Sequence, residues 1–322
     1  MAQFIQRFHA DKSAIRDELN VGLHAPQAMT SPKYLYDALG SKLFEAICEL
    51  PEYYPTRTEA AIFAAYADEI ATSVGTGRTL VDIGAGNCAK AARLFGVLQP
   101  AHYVPIDISV DFLRDSVDTL QQRFPAMEIT ALGVDFSAPF ALPDNVGSAQ
   151  RLFFYPGSSI GNFTPAEATD FLARLAQAGD NDGGLLISVD LIKETALLDA
   201  AYDDALGVTA AFNLNLLNHL NTVLEADFDV RSWKHIGFFN VEHSRIEMHL
   251  ESRLLQTVHW RGGKRSFAAG ERIHTENSYK YTIASFTALL ERAGFKPQQV
   301  WTDPHGWFMV CHAKPISRPG GM

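Results

Sequence analysis

The sequence has 322 residues, 47% hydrophobic and 20% charged, a globular composition that excludes disorder, collagen and repeat arrays and leaves room for one large or two smaller domains. Its formal net charge of −10 disfavours nucleic acid as a partner. The dispersed Cys48, Cys88 and Cys311 fit neither a disulfide framework nor paired metal ligands, and no apolar run resembles a signal peptide or a membrane span, so a cytoplasmic protein with no membrane partner is expected.

The first 60 residues show no strand–helix–strand rhythm but hold a dense aromatic cluster, Tyr34, Tyr36, Phe44, Tyr53 and Tyr54, around Pro51. From Thr79 the rhythm changes. Apolar runs at Thr79 to Ile83, His102 to Ile108, Glu128 to Phe136, Arg151 to Tyr155 and Gly184 to Leu191 alternate with helical stretches. Such β-branched and aromatic runs predict parallel strands of a doubly wound, Rossmann-like α/β sheet. A long helical stretch from Lys193 to Leu224, carrying Asn213, Asn215, Asn218 and Asn221, then interrupts the pattern. Strand-like pieces follow at His235 to Phe239, Ile246 to Arg253 and Gln256 to Trp260. A helix from Ser285 to Ala293 stops at Gly294 and leads to two strands, Gln299 to Thr302 and Trp307 to His312, read as a final hairpin of the sheet. The expected organisation is a cofactor domain over 61–195 and 284–322, and a mixed α+β substrate domain formed by the N-terminus, 1–60, and an insertion, 196–283.

Between the first predicted strand of the sheet and its helix lies Val81-Asp82-Ile83-Gly84-Ala85-Gly86-Asn87-Cys88-Ala89. Gly84 and Gly86 allow a sharp turn and close backbone approach, and the helix start offers free N–H groups. Asp107, 23 residues after Gly84 and at the end of the next strand, is placed to accept from ribose hydroxyls. Asp135 ends the third strand, beside Phe136, where an adenine amino group and an apolar contact would suit them. These carboxylates could also be strand-end caps. Asp82 decides between nucleotides: it would repel a pyrophosphate and attract the cationic methionine portion of S-adenosylmethionine.

Several segments point the same way. Gly40-Ser41-Lys42-Leu43-Phe44-Glu45, Leu50-Pro51-Glu52-Tyr53-Tyr54-Pro55-Thr56-Arg57-Thr58-Glu59, Gly157-Ser158-Ser159-Ile160-Gly161-Asn162-Phe163, Ala201-Tyr202-Asp203-Asp204, Val208-Thr209-Ala210-Ala211-Phe212-Asn213 and Ile273-His274-Thr275-Glu276-Asn277-Ser278-Tyr279-Lys280 resemble the histidine-specific Nα-methyltransferases of ergothioneine biosynthesis. The resemblance runs from about Ser31 to His312. It implies trimethylation of the α-amine of L-histidine to hercynine, with S-adenosylmethionine consumed to S-adenosylhomocysteine. It further implies that Asn162 and Tyr202 hold the substrate carboxylate, that Gly157 and Tyr36 neighbour the amine, and that Glu276 and Ser278 meet the imidazole. Phe44, Tyr53 and Met248 would complete the pocket wall. Gly86, Lys90, Asp107, Asp135 and Phe136 match the family's cofactor positions, whereas Asp82 stands where Glu is common and Asn87-Cys88 replace small hydroxyl residues.

The chemistry fits that substrate. Histidine presents a carboxylate, an amine and an imidazole, and neutral donors such as Asn162 and Tyr202 serve the carboxylate without adding positive charge. Tyr36 is the nearest candidate to orient or relay the amine proton. Tyr36, Phe44 and Tyr53 could equally be core aromatics, and Asn162 a cap for a helix starting near Thr164. No metal site is expected, because the eleven His are scattered and His243 and His249 differ in strand parity. His219, His235 and His274 read as structural. Two alternatives stay open: N-methylation of another aromatic amino acid, and a binding protein that senses histidine or S-adenosylmethionine without turnover. The sequence is compatible with a monomer.

Overall fold

The computed structural model describes residues 2–6, 11–136, 138, 140–147, 149–179 and 182–316. The remaining positions of the expected domains, 317–322 among them, lie outside these described residues. In chain order the strands are β1 (Gln3–Gln6), β2 (Thr79–Ile83), β3 (His102–Asp107), β4 (Glu128–Gly133), β5 (Arg151–Tyr155), β6 (Gly184–Asp190), β7 (Trp233–Asn240), β8 (Arg245–Ser252), β9 (Gln256–Trp260), β10 (Gly263–Phe267), β11 (Arg272–Tyr279), β12 (Phe295–Thr302) and β13 (Phe308–Pro315). The helices are α1 (Lys12–His24), α2 (Ala38–Cys48), α3 (Tyr54–Ala65), α4 (Ala67–Val74), α5 (Ala89–Leu98), α6 (Val110–Arg123), α7 (Pro165–Ala178), α8 (Thr195–Tyr202), α9 (Val208–Leu224) and α10 (Ile283–Arg292).

The chain divides into two compact units, one of Met1–His9, Pro55–Ile192 and Lys280–Met322, the other of Ala10–Tyr54 and Lys193–Tyr279. The boundaries differ from those expected at 60, 195 and 283, and the chain start changes sides. Strand β1 pairs in parallel with β4. It escaped notice because an edge strand of four residues has too few positions to show a period.

The first unit is built on an eight-stranded sheet in the order β1-β4-β3-β2-β5-β6-β13-β12. The strands from β1 to β6 are parallel, and β13 and β12 close the edge antiparallel. Every residue of β6 is buried, and four of five in β2 and β5, as parallel strands covered on both faces must be. Strand order reverses at β2, so the loops after β2, β3, β4 and β5 gather at the carboxyl edge of a switch point, where open α/β sheets bind ligands. Strand β12 begins four residues earlier than Gln299, and a register shift between Pro297 and Gln299, beside a proline that cannot donate to a ladder, interrupts its pairing.

The second unit holds a three-stranded antiparallel sheet, β11-β8-β7, and the hairpin β9–β10. The helical stretch expected from Lys193 to Leu224 is split: α8 ends at Tyr202 and α9 starts after Gly207, whose φ is +75°. Asp204 makes the break by accepting from the N–H groups of Val208 at 3.0 Å and Thr209 at 2.7 Å, capping α9. Several polar residues of α9 are tied to neighbouring segments, although Thr209 Oγ1 and Asn213 Oδ1 are buried with no hydrogen-bond partner among the described residues. Asn215 donates to Asp37 at 2.8 Å, and Asn221 brackets the backbone N–H and C=O of Phe228 at 2.8 and 2.9 Å. All three cysteines are free thiols, and no helix among the described residues is long and apolar enough to cross a membrane.

Candidate active site

The glycine-rich loop after β2 has the geometry its sequence predicts. Gly84 and Gly86 take φ of +69° and +52°, and Cys88, left-handed at +60°, precedes α5. The space beside Gly86 in which a Cβ would stand is open, and that beside Gly84 faces the Phe136 ring at 3.5 Å. Asp107, at the end of β3, accepts from the Gly86 N–H and the Ser109 N–H, both at 2.9 Å. It therefore braces the glycine loop from the strand end at which a ribose ligand is expected. Burial raises its carboxyl pKa, an effect opposed by those N–H groups. Asp135 is half-buried after β4, and the Phe136 ring packs on Tyr155 with ring centroids 6.1 Å apart.

Asp82 is buried within β2. One carboxylate oxygen accepts from the Tyr103 hydroxyl at 2.6 Å, and the other has no hydrogen-bond partner among the described residues. Desolvation pushes its pKa up to about 7, against the opposing Tyr103 hydrogen bond and the Lys90 charge. A buried carboxylate oxygen with nothing to accept from, a bracing acid at the next strand end and open space over a glycine turn fit the ammonium, ribose and methionine chain of S-adenosylmethionine.

Beside this cradle, Gly157 and Ser158 follow β5 with consecutive left-handed conformations, φ +80° and +58°. Lys90, on α5, pairs with Glu59 at 2.6 Å. Asn162 closes a short 3-10 turn, Ser159–Asn162. It is not the cap of α7: Thr164 and Glu167 form a full capping box there, with Pro165 in the first turn. Asn162 is thereby relieved of the plainest structural duty open to it.

In the second unit, Tyr36, Phe44, Tyr53, Tyr202 and Phe212 form one aromatic cluster. Tyr36 meets Phe44 and Phe212 edge-on at 5.5 and 5.4 Å, and Phe44 meets Tyr53, and Tyr53 meets Tyr202, at 6.1 and 6.0 Å. Burial, then the neighbouring Tyr202, Cys48, Tyr36 and Glu276, holds the Tyr53 phenol well above its usual pKa and therefore neutral. Phe212 was not legible as a member of this cluster from the sequence, because it lies on a helix whose apolar residues look like ordinary core.

A bulge sets which way the polar residues of β11 face. Strand β11 pairs His274 with His249 and Glu276 with Met248, with a register shift between them at Thr275. Successive strand residues face opposite ways, so the extra residue turns Glu276 and Ser278 onto the face of Met248 and leaves His274 on the other. Thr275 is buried, and its hydroxyl donates to the Met248 carbonyl at 3.0 Å. The Tyr202 hydroxyl donates to Ser278 Oγ at 3.0 Å. The Tyr202 backbone is pinned as well, because His235 Nε2–H donates to its carbonyl at 2.8 Å while His235 Nδ1 accepts from Asn213 at 2.9 Å. Burial lowers the His235 pKa and keeps that ring neutral.

Gly237 makes this approach possible, since a Cβ there would lie 2.5 Å from the Tyr202 carbonyl oxygen. Gly237→Ala is expected to cost about 1 to 3 kcal/mol of stability and to raise KM for the substrate by displacing Tyr202. Thermal melting with steady-state kinetics checks this; an unchanged melting temperature and KM would show that Tyr202 has slack.

On the opposite face, ligand atoms of Glu247, His249 and His274 lie within 4.8 Å of one another. The comparison of His243 with His249 missed this group because its members meet across the sheet. Arg245 already fills one Glu247 oxygen, with bonds of 2.9 and 2.7 Å, and Nε2 of His249 and of His274 donate to Glu247 and Asn277, both at 3.0 Å. Burial lowers the pKa of His249 to about 4. These bonds describe an ion-paired network, which metal ligation would have to break.

A family model described as "Histidine-specific methyltransferase, SAM-dependent" matches residues 15–315. The histidine N-alpha-methyltransferase of Mycolicibacterium smegmatis is 40% identical over 301 residues, spanning 92% of this chain and 93% of that protein. The protein of the same name from Mycobacterium tuberculosis is 38% identical over 303 residues, again 92% and 93% of the two chains. "Ergothioneine biosynthesis protein 1" of Neurospora crassa is 29% identical over 279 residues, 83% of this chain but 31% of its own length.

Proposed function

The chain belongs to the histidine-specific, S-adenosylmethionine-dependent methyltransferases, and we propose that its first unit holds the cofactor while its second supplies the pocket that selects L-histidine. It is an enzyme that methylates histidine in ergothioneine biosynthesis. Trimethylation of the α-amine to hercynine, and the residue roles below, are our reading.

The observation that carries the choice of histidine is the bulge at Thr275, which puts Glu276 and Ser278 on the Met248 face. A buried carboxylate accepts from one imidazole N–H, and a hydroxyl serves the other nitrogen in either tautomer. The resemblance gives Asn162 and Tyr202 as the carboxylate donors; Tyr202 has a single hydroxyl proton, donated to Ser278 Oγ in the free protein, and turns it to the carboxylate when substrate binds. The Gly157 N–H is already engaged by Glu59 and Ser188, which leaves the Gly157 carbonyl as the group that accepts from an amine N–H. Tyr36 orients or relays the departing proton. Its ring, with Phe44, Tyr53 and Phe212, forms an aromatic wall suited to a nitrogen that gains methyls and finally a fixed positive charge.

Bound S-adenosylmethionine supplies an electrophilic methyl group on a sulfonium centre. Asp107, Asp135 and Phe136 hold its nucleoside, Gly84 and Gly86 admit its backbone-proximal atoms, and Asp82 and Lys90 set the charge around its methionine end. The chain's own contribution is positioning and exclusion of water, with no covalent link to the substrate.

Two tests follow. S-adenosylhomocysteine release measured with each common amino acid in turn should be fastest with histidine; preference for tryptophan or tyrosine would favour another aromatic substrate, and no release at all would favour a sensor. For Asp82, a free-protein pKa of about 7 fixes the sign: a bound ammonium favours the ionised form, so binding below that pH expels one proton. S-adenosylmethionine affinity should rise roughly tenfold per pH unit up to about pH 7 and then level off. Asp82→Asn should flatten the profile; an equally steep profile in that variant would take the ammonium away from Asp82.

A further inference from the structure

We infer that Glu59 is a positioning residue for methyl transfer, tying the Lys90 ammonium and the Gly157 turn to one buried carboxylate. This rests on the reading above, which places Lys90 with the cofactor and Gly157 with the substrate amine.

Glu59 sits on α3 at the end of the segment that begins with the pocket tyrosines, and it is 1% exposed. Its oxygens are divided. Oε2 accepts from Lys90 Nζ at 2.6 Å, while Oε1 accepts from the Gly157 N–H at 2.6 Å and from the Ser188 hydroxyl. The Gly157 N–H also donates to Ser188 Oγ at 2.9 Å, so carboxylate, hydroxyl and backbone amide close a triangle. A buried carboxylate is costly unless its lone pairs are filled, and here three donors fill them.

The turn that Glu59 holds is one the chain adopts unwillingly. Gly157 and Ser158 are both left-handed, and Ser158 carries a Cβ that disfavours this conformation. Two tethers keep it: Glu59 on the Gly157 N–H, and Ser158 Oγ, which accepts from the Asp190 N–H at 2.9 Å. Asp190 is itself locked by a fully buried ion pair with Lys280 at 2.9 Å. The parts Glu59 joins also lie close together, since a Cβ on Gly157 would stand 2.8 Å from Lys90 Nζ.

The consequence is mechanical coupling. If the carboxylate loses its charge, Lys90 loses its anchor, the Gly157 turn loses its strongest acceptor, and the groups that align amine and methyl drift together. A carboxylate serving only to neutralise Lys90 would have no reason to hold the Gly157 amide, and one serving only as a turn brace would be indifferent to Lys90.

The test is Glu59→Gln, which keeps the shape and removes the charge, combined with Lys90→Met in a double-mutant cycle. S-adenosylmethionine affinity by calorimetry without histidine, kcat and KM for histidine, and the melting temperature are read for each form. Expected are a roughly tenfold loss of cofactor affinity and a loss of kcat at least as large in Glu59→Gln, with the double variant no worse than the worse single one, because both changes break one linkage. Ser188→Ala should give a smaller loss of kcat in the same direction, and it carries the test if Glu59→Gln does not fold. Full kcat in Glu59→Gln, or in a folded Ser188→Ala standing in for it, overturns the inference, as do strictly additive effects on affinity. If the parent protein does not turn over histidine, the functional reading has failed, and the calorimetric cycle still decides whether Glu59 and Lys90 act as a unit.

Discussion

Glu276→Ala should lower kcat/KM for histidine by roughly ten- to a hundredfold while leaving S-adenosylmethionine affinity unchanged. Glu276 is 7% exposed and lies on β11 directly opposite Met248. Removing a buried acceptor strands an imidazole N–H in a site that water replaces poorly, a loss of about 1 to 3 kcal/mol. Cofactor binding should not register the change, because the cradle belongs to the other unit and rests on Asp82, Asp107 and the glycine loop. Glu276→Gln is the informative partner: it keeps an oxygen to accept from one N–H and should lose less. Steady-state kinetics with calorimetry separates the outcomes, and a variant as efficient as the parent would remove Glu276 from the imidazole site.

Asp107→Ala should have the complementary signature, a cofactor affinity weakened by roughly ten- to a hundredfold. Two effects add here. The variant loses charge-assisted hydrogen bonds to the ribose hydroxyls, about 1.5 to 3 kcal/mol, and it also releases the Gly86 and Ser109 N–H groups that the carboxylate holds at 2.9 Å. Asp107→Asn keeps one accepting oxygen and should fall between the two. Unchanged affinity in Asp107→Ala would mean that the acid is only a loop brace.

The sheet was legible in the sequence because its strands are buried on both faces and so read as continuous apolar runs. The predicted spans of β2 and β5 coincide with the observed ones, as does that of β9 in the separate hairpin of the second unit. Strands β10 and β11 were not legible, for a different reason. Strand β10 is Gly-Lys-Arg-Ser-Phe, a hairpin arm with two adjacent charges and no apolar run, and β11 is Arg-Ile-His-Thr-Glu-Asn-Ser-Tyr, whose period is broken by the bulge. A strict alternation would have put His274, Glu276 and Ser278 on one face, and only the paired strand reveals that His274 points the other way. The break between α8 and α9 was foreshadowed by Asp204 and Gly207 but hidden by the apolar residues on either side. Asp107 and Asp135 were legible because each stands where an apolar run gives way to a loop, on the same side of the sheet as the turn at Gly84 and Gly86. Glu59 lies in a family-like segment, yet its role was hidden, because its partners lie 31, 98 and 129 residues away along the chain.

The central claim is that the chain carries the α-amine of free histidine to the quaternary state. Mass spectrometry, with fragmentation, of L-histidine incubated with the enzyme and excess S-adenosylmethionine tests it most directly, because one spectrum reports the substrate, the number of methyl groups and the nitrogen that bears them. The predicted result is a single accumulating product with three methyl groups on the α-nitrogen and an unmodified imidazole. A methyl group on the ring, or accumulation that stops at one methyl with cofactor still in excess, would contradict it.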